Sequence, residues 1–344
     1  MDIEYILYRI LSGYYFVYIN ENAYKIVNLD IAIKQAAQNL YISILEKYKF
    51  DPQYWISDLQ RQHLLNINSI WGSRESKLLS DNEKTLDKLK IDLYLKYSNE
   101  KQKKIVKKEI SDTNNTIKEL LFRKNTFFDM TLESYAQSIK NEFLIMSMVY
   151  DSNNNKVFDQ NIYNVNLLQE IIQAISDKAV SVTDLRKTAR HDLWRSIWDS
   201  SKNNIFANAG LLWTDEQRVI VNLSKMYDSV KEHPECPPDE IIDDDDALDG
   251  WMLYQKEKIE KEKKKNKIMN KLDNKYKNAG EIFMVTDSAE EAKEIYEMND
   301  DMAKMQIREM TTLASDDKSI NWTDLPFVQR AAKLKSQEMA AKKK

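Results

Sequence analysis

The alternation of apolar and polar positions changes character several times along the chain, and each change marks an element. Aromatic and β-branched residues fill Tyr14 to Ile19, turn formers follow at Asn20-Glu21-Asn22, and Ala23 to Val27 resumes the same texture. That pattern predicts a β-hairpin. Asp30 stands where a helix N-cap belongs, and Ile33, Ala36, Ala37, Leu40, Tyr41, Ile44, Leu45 and Tyr48 then recur at helical spacing until Pro52. A short aromatic-rich stretch from Trp55 to Trp71 closes at Gly72.

From Ser73 the apolar positions thin to a seam. Leu79, Leu86 and Leu93 repeat every seven residues with Leu89 between them. Beyond the polar Ser98-Asn99 break comes a second series, Val106, Ile110, Thr113, Ile117 and Leu120, with Lys, Glu and Asp around it. This predicts an antiparallel coiled-coil hairpin, and some 24 residues per helix at 1.5 Å each would project it by about 35 Å. It reads either as a spacer arm or as a partner-binding arm.

Helical spacing returns at Thr131 and continues through Tyr135, Ile139, Phe143 and Met146. A second stripe runs through Val165, Leu168, Ile171, Ile172 and Ile175, and a third through Leu185, Leu193, Trp194, Ile197 and Trp198. Thr214 with Gln217 forms a capping box that opens a helix bearing Val219, Ile220, Leu223, Met226, Tyr227 and Val230. His233-Pro-Glu-Cys-Pro-Pro238 must stop it, because each proline fixes φ and turns its predecessor away from helix. Further on, Glu281 to Thr286 reads as a strand, Ser288 with Glu291 as another capping box, and Thr323 onward as a last helix with a Lys-ended tail.

The expected fold is therefore mainly α and multi-segment. It comprises an N-terminal hairpin-plus-helix module (1–72), a coiled-coil hairpin (73–127), a central helical domain (128–233), a Pro-rich and acidic linker (234–250), and a charged helix with a C-terminal α/β arm (251–344).

Composition narrows the function classes. Average usage would supply about 24 glycines in a chain of 344 residues, yet there are five, at 13, 72, 210, 250 and 280, none closer than 30 positions to the next. Phosphate loops, dinucleotide fingerprints and nucleophile elbows need neighbouring glycines, so these motifs are absent. One cysteine allows no intrachain disulfide, and no signal peptide is expected, since no N-terminal apolar stretch has the charged flank and cleavage site of one. No apolar run reaches membrane-spanning length, and the expectation is a soluble protein made in a reducing cytoplasm. Fifty-one basic and 55 acidic side chains leave a net charge of −4, but the local balance is uneven. Glu235 to Asp249 holds eight acids and no base, whereas Lys256 to Lys277 holds ten Lys and four acids.

Candidate chemistry is sparse. His233 and Cys236 have zinc-ligand spacing but no second pair, so a packed proline corner is the expected outcome. Asp151 to Asp159 begins like a calcium loop, then places Lys156 where Gly is needed and Ile162 where a bidentate Glu is needed. The acidic constellation Asp243, Asp244, Asp245, Asp246 and Asp249, with Trp251 beside it, has three readings. It can cap a following helix and complement its dipole, it can dock a basic partner surface, or it can hold a divalent cation. No cofactor or resident metal is expected, and no nucleophile sits in a recognisable triad.

The stretch from Met226 to Met252, which contains His233-Pro-Glu-Cys-Pro-Pro-Asp-Glu-Ile-Ile-Asp-Asp-Asp-Asp, resembles an uncharacterised protein family of large contractile-tailed bacteriophages. The aromatic hairpin near Tyr14, the Ile70-Trp71 pair before the heptads, and Gly280 to Asn299 fit the same resemblance. It implies a virion or tail-assembly protein, put together in the bacterial host cytoplasm and acting through other virion proteins without catalysis. The Lys-rich segments keep a nucleic-acid-binding or transcription-modulating role as the alternative.

Overall fold

The computed structural model describes residues 2–49, 55–158, 164–201, 204–206, 210–271, 296 and 304. It divides into two compact units, Met1–Leu253 and Tyr254–Lys344. Helix accounts for 74% of the described residues, and one small antiparallel sheet lies in the N-terminal region, so the chain is mainly α as its periodicity predicts. The elements expected at 281–286, 288–305 and beyond 323 lie outside the described residues, Tyr296 and Lys304 excepted, as does Pro52.

The chain begins with a helix that the sequence pattern does not announce. In α1 (Ile3–Ser12), Ile6, Leu7 and Ile10 share one buried face. Gly13 stops it at φ 72°, a left-handed position that favours glycine, and its N–H closes on the Arg9 carbonyl at 3.0 Å. Strands β1 (Tyr14–Ile19) and β2 (Asn22–Val27) then pair antiparallel, with Tyr14 opposite Val27 and Ile19 opposite Asn22. Asn20 and Glu21 take φ of 48° and 68°, the two positive values a two-residue type I′ turn requires. The predicted hairpin gains a third strand, β3 (Val149–Tyr150), which pairs with β2 through Lys25 and Ile26. Tyr15, Val17 and Ile26 face inward onto Met146, Val149, Phe158, Leu168 and Ile171.

Helix α2 (Ile31–Tyr48) is capped by Asp30, which accepts from the Ile33 N–H at 2.8 Å. It packs against α6 (Leu132–Met148) over Ile44, Leu132 and Ala136. Between them in sequence lie α3 (Asp58–Ile67) and the two hairpin helices, α4 (Ser73–Leu95) and α5 (Glu100–Lys124). Leu79, Leu93, Val106, Ile110 and Leu120 are buried along the hairpin, as the heptads predict.

Helix α7 (Val165–Asp177) packs on the sheet through Leu168 and Ile171, and the largest core belongs to α8 (Val182–Arg190), α9 (Asp192–Ser201) and α10 (Asp215–Lys231), followed by the single turn α11 (Asp239–Ile242) and the long α12 (Asp245–Lys271). Within it, Trp194, Trp198, Ile220, Tyr227, Leu248 and Trp251 pack around Ile6, Leu7 and Ile10 of α1. Arg9 fastens α1 there through Glu216 (2.8 Å) and the Lys178 carbonyl (2.6 Å). The Thr214 capping box is present, and Gln217 also donates to the Ile10 carbonyl at 2.7 Å.

One expectation is corrected. The coiled-coil hairpin does not project: its turn end packs Leu93, Val106 and Ile110 against Ile241 and Ala247, beside the acidic run. Burying that apolar end costs less than leaving it in water, so the hairpin lies down as a strut.

Candidate functional site

The acidic run lies where three parts of the fold meet. Helix α10 ends at Glu232, and the proline corner carries the chain into α11. The corner is less packed than expected: His233 leans on Trp251, but Cys236 is exposed. His233 Nδ1 accepts from the Glu235 N–H at 3.0 Å, its ring meets Trp251 edge-on at 5.2 Å, and the Cys236 thiol reaches the Pro237 carbonyl. Asp243 closes α11, and Asp244 opens α12: its carboxylate accepts from the Ala247 N–H at 3.4 Å and its carbonyl from the Leu248 N–H at 2.9 Å. Asp245 and Asp246 occupy the first turn of α12, where negative charge complements the helix dipole.

The remaining carboxylate capacity goes to cations on two sides. From the central helices, Arg186 donates to Asp249 at 2.7 Å, and Arg190 donates to Asp245 and to the Tyr227 hydroxyl, both at 2.7 Å. From the hairpin, Lys90 reaches Asp249 at 2.8 Å and Asp246 at 3.4 Å, and Lys107 reaches Asp244 at 2.5 Å. The Tyr97 hydroxyl adds a hydrogen bond to the Glu240 carbonyl at 2.8 Å. Asp249 is the pivot, with one oxygen on Arg186 and the other on Lys90. Asp243 is the most exposed carboxylate, 73% accessible and 3.6 Å from Arg190. Trp251, the aromatic neighbour in the sequence, is 4% exposed and faces the chain's own core.

The charge states follow from these contacts. Burial disfavours the Lys90 ammonium, but Asp249 and Asp246 outweigh it and hold the group above the ordinary value of 10.5. Arg186 and Arg190 likewise are penalised by burial and held charged by Asp249 and Asp245. Each buried cation therefore has a partner, as the desolvation cost demands.

Gly250 explains how α12 comes so close to the hairpin. A Cβ there would stand 1.9 Å from the Lys90 carbonyl oxygen, so the backbones touch where any side chain would collide. A glycine inside a helix costs roughly 0.5–1 kcal/mol relative to alanine, and close approach is the reason to keep one.

The sequence placed the acidic residues together but did not reveal Lys90, Lys107, Arg186 or Arg190, whose hydrogen bonds to the carboxylates span from 55 positions for Arg190–Asp245 to 159 for Lys90–Asp249. The one available signal was the mid-helix glycine. Elsewhere, Asp151 spends its carboxylate on the N–H groups of Asn153 and Asn155, both at 2.8 Å, which lowers its pKa. Among the described residues no group of three or more His, Cys, Asp or Glu side chains is arranged to hold a metal ion, and no described helix is long and apolar enough to cross a membrane. No protein family, curated protein or solved structure matches the chain.

Proposed function

We propose that the chain is a non-enzymatic structural or assembly protein of a contractile-tailed bacteriophage, present in the virion or its intermediates and acting through protein–protein contacts. The observation that carries the reading is an apolar surface at the base of the hairpin. Leu59, Ile67 and Phe122 are 80%, 65% and 79% exposed, and Phe127, Phe128 and Met130 stand exposed on the turn that follows α5. Aromatic and Met side chains are the residues that anchor interfaces, and exposing several on neighbouring elements is costly unless a partner covers them. The resemblance carried by Met226 to Met252 supplies the phage context.

Mass spectrometry of purified virions and of assembly intermediates tests this directly. The chain is expected at a defined copy number, and its absence from both would end the reading. Nucleic-acid binding is the second reading, supported by the exposed lysines Lys256, Lys261 and Lys263 on α12. It requires retention on DNA or RNA that falls steeply with salt.

A further inference from the structure

We propose that the α4–α5 hairpin is a hinged arm, latched at its turn end by the acidic run and able to swing away as an intact unit. The proposal goes beyond the functional reading above and holds whether or not the chain belongs to a virion.

The base of the hairpin is built as a pair of hinges. The chain enters it past Ser69 and leaves it through Phe127, and both residues sit at positive φ, 54° and 59°, without being glycine. Left-handed backbone is strained at the bulky Phe127, whereas Ser69 closes α3, its N–H on the Asn66 carbonyl at 3.0 Å and the Ile70 N–H on the Leu65 carbonyl at 2.9 Å; both mark places where the chain turns sharply. A cleft of about 490 Å³ opens beside these turns, lined by Leu59, Leu65, Trp71, Gly72, Ser76 and Lys124. Rotation of the base therefore has space to occupy. Arg61 tethers the exit side, donating to the Lys124 carbonyl at 2.7 Å and the Thr126 carbonyl at 3.2 Å, so the arm pivots without detaching.

The turn end is held differently. Lys90 and Lys107 contribute charge to Asp249, Asp246 and Asp244, and Tyr97 contributes one hydrogen bond. The apolar part of the contact sets Leu93, Val106 and Ile110 against Ile241 and Ala247, and Tyr94 reaches the edge of the central core. The helices also pair away from that contact, where Leu79 and Leu120 are buried between them. A tip fastened by ion pairs over a small apolar contact, a turning base and a paired shaft are the parts of an arm that opens by releasing one end. Salt acts on such a latch unevenly. It weakens Lys107–Asp244, where the lysine is 46% exposed, more than Lys90–Asp249, where the two side chains are 18% and 22% exposed.

The test places spin labels at Lys101→Cys near the hairpin turn and Lys225→Cys on α10 in the full chain, with Cys236→Ser removing the exposed native thiol. Interlabel distances are measured at about 0.05 M and about 1 M salt. A single short distance is expected at low salt. The Lys90→Glu, Lys107→Glu double variant should raise the ratio of long to short distances by at least about tenfold, with helical content by circular dichroism unchanged. Gly250→Ala should have the same effect without altering any charge, since its methyl meets the Lys90 carbonyl. An unchanged distance in both variants at high salt overturns the proposal. Longer distances accompanied by loss of helical signal overturn it equally, because the hairpin would then be unfolding and not swinging.

Discussion

The central core and the coiled-coil hairpin are both helical, yet they are held in place by different forces. In the core, Trp194, Trp198, Ile220, Tyr227 and Leu248 are all but removed from water, and the indoles keep their N–H groups satisfied by Ser224 and Asp228, each at 2.8 Å. The hairpin buries one narrow seam, and its attachments at either end are dominated by cations: Arg61 at the base, Lys90 and Lys107 at the turn. Apolar burial is non-directional and insensitive to ionic strength, whereas ion pairs are directional and screened. The core thus determines which structure forms, and charge determines where one of its parts lies.

The sharpest way to break this contrast is to remove an indole. Trp194→Ala should cost about 3–5 kcal/mol of global stability in denaturant titration, because it leaves a cavity and removes the N–H that the Ser224 oxygen accepts, leaving the hydroxyl only its bond to the Ile220 carbonyl. A loss below about 1 kcal/mol would mean that the tryptophans do not hold the core together. Thr214→Ala probes the same region more gently. It deletes a capping-box acceptor at α10, where Gln217 is committed both to the Thr214 N–H at 2.8 Å and to Ile10, and should cost about 1 kcal/mol. Neither change should alter the label distance that reports on the hairpin. If either does, core and latch are one cooperative unit and the contrast fails.

How far the sequence could be read follows the same division. The β1–β2 hairpin, the Asp30 cap, the heptads of α4 and α5 and the Thr214 box were legible because each is written in residues fewer than about eight apart, at periods that backbone geometry fixes. Helix α1 was not. Its ten residues are short for a periodic signal, and its anchor, Arg9, finds Glu216 at a separation of 207 positions. Strand β3 is two residues long and exists only because β2 offers it a register. The acidic run was plain as composition and suggested a cap for the helix through Trp251, a place that Asp244 takes, but nothing local revealed that Arg186, Arg190, Lys90 and Lys107 converge on it. Charge complementarity between distant segments has no period, so a single sequence does not display it.

The smallest expected effect isolates the latch from the core by pH. Lys90 is held above 10.5 by Asp249 and Asp246, so its contribution is fully present below that value and is lost as the pH rises through its own raised pKa. Burial also raises Tyr227 above 10.0, so the core weakens in alkali as well, and stability alone cannot separate the two. Lys90→Arg separates them, because a guanidinium stays charged throughout this range. For a pair still partly open to solvent the difference should be about 1 kcal/mol or less. It should be visible as an arm that opens in the parent chain at high pH and stays closed in Lys90→Arg, while the denaturation midpoints of the two fall together. Identical opening in both proteins would remove Lys90 from the latch and leave Lys107 and Tyr97 to hold the hairpin turn.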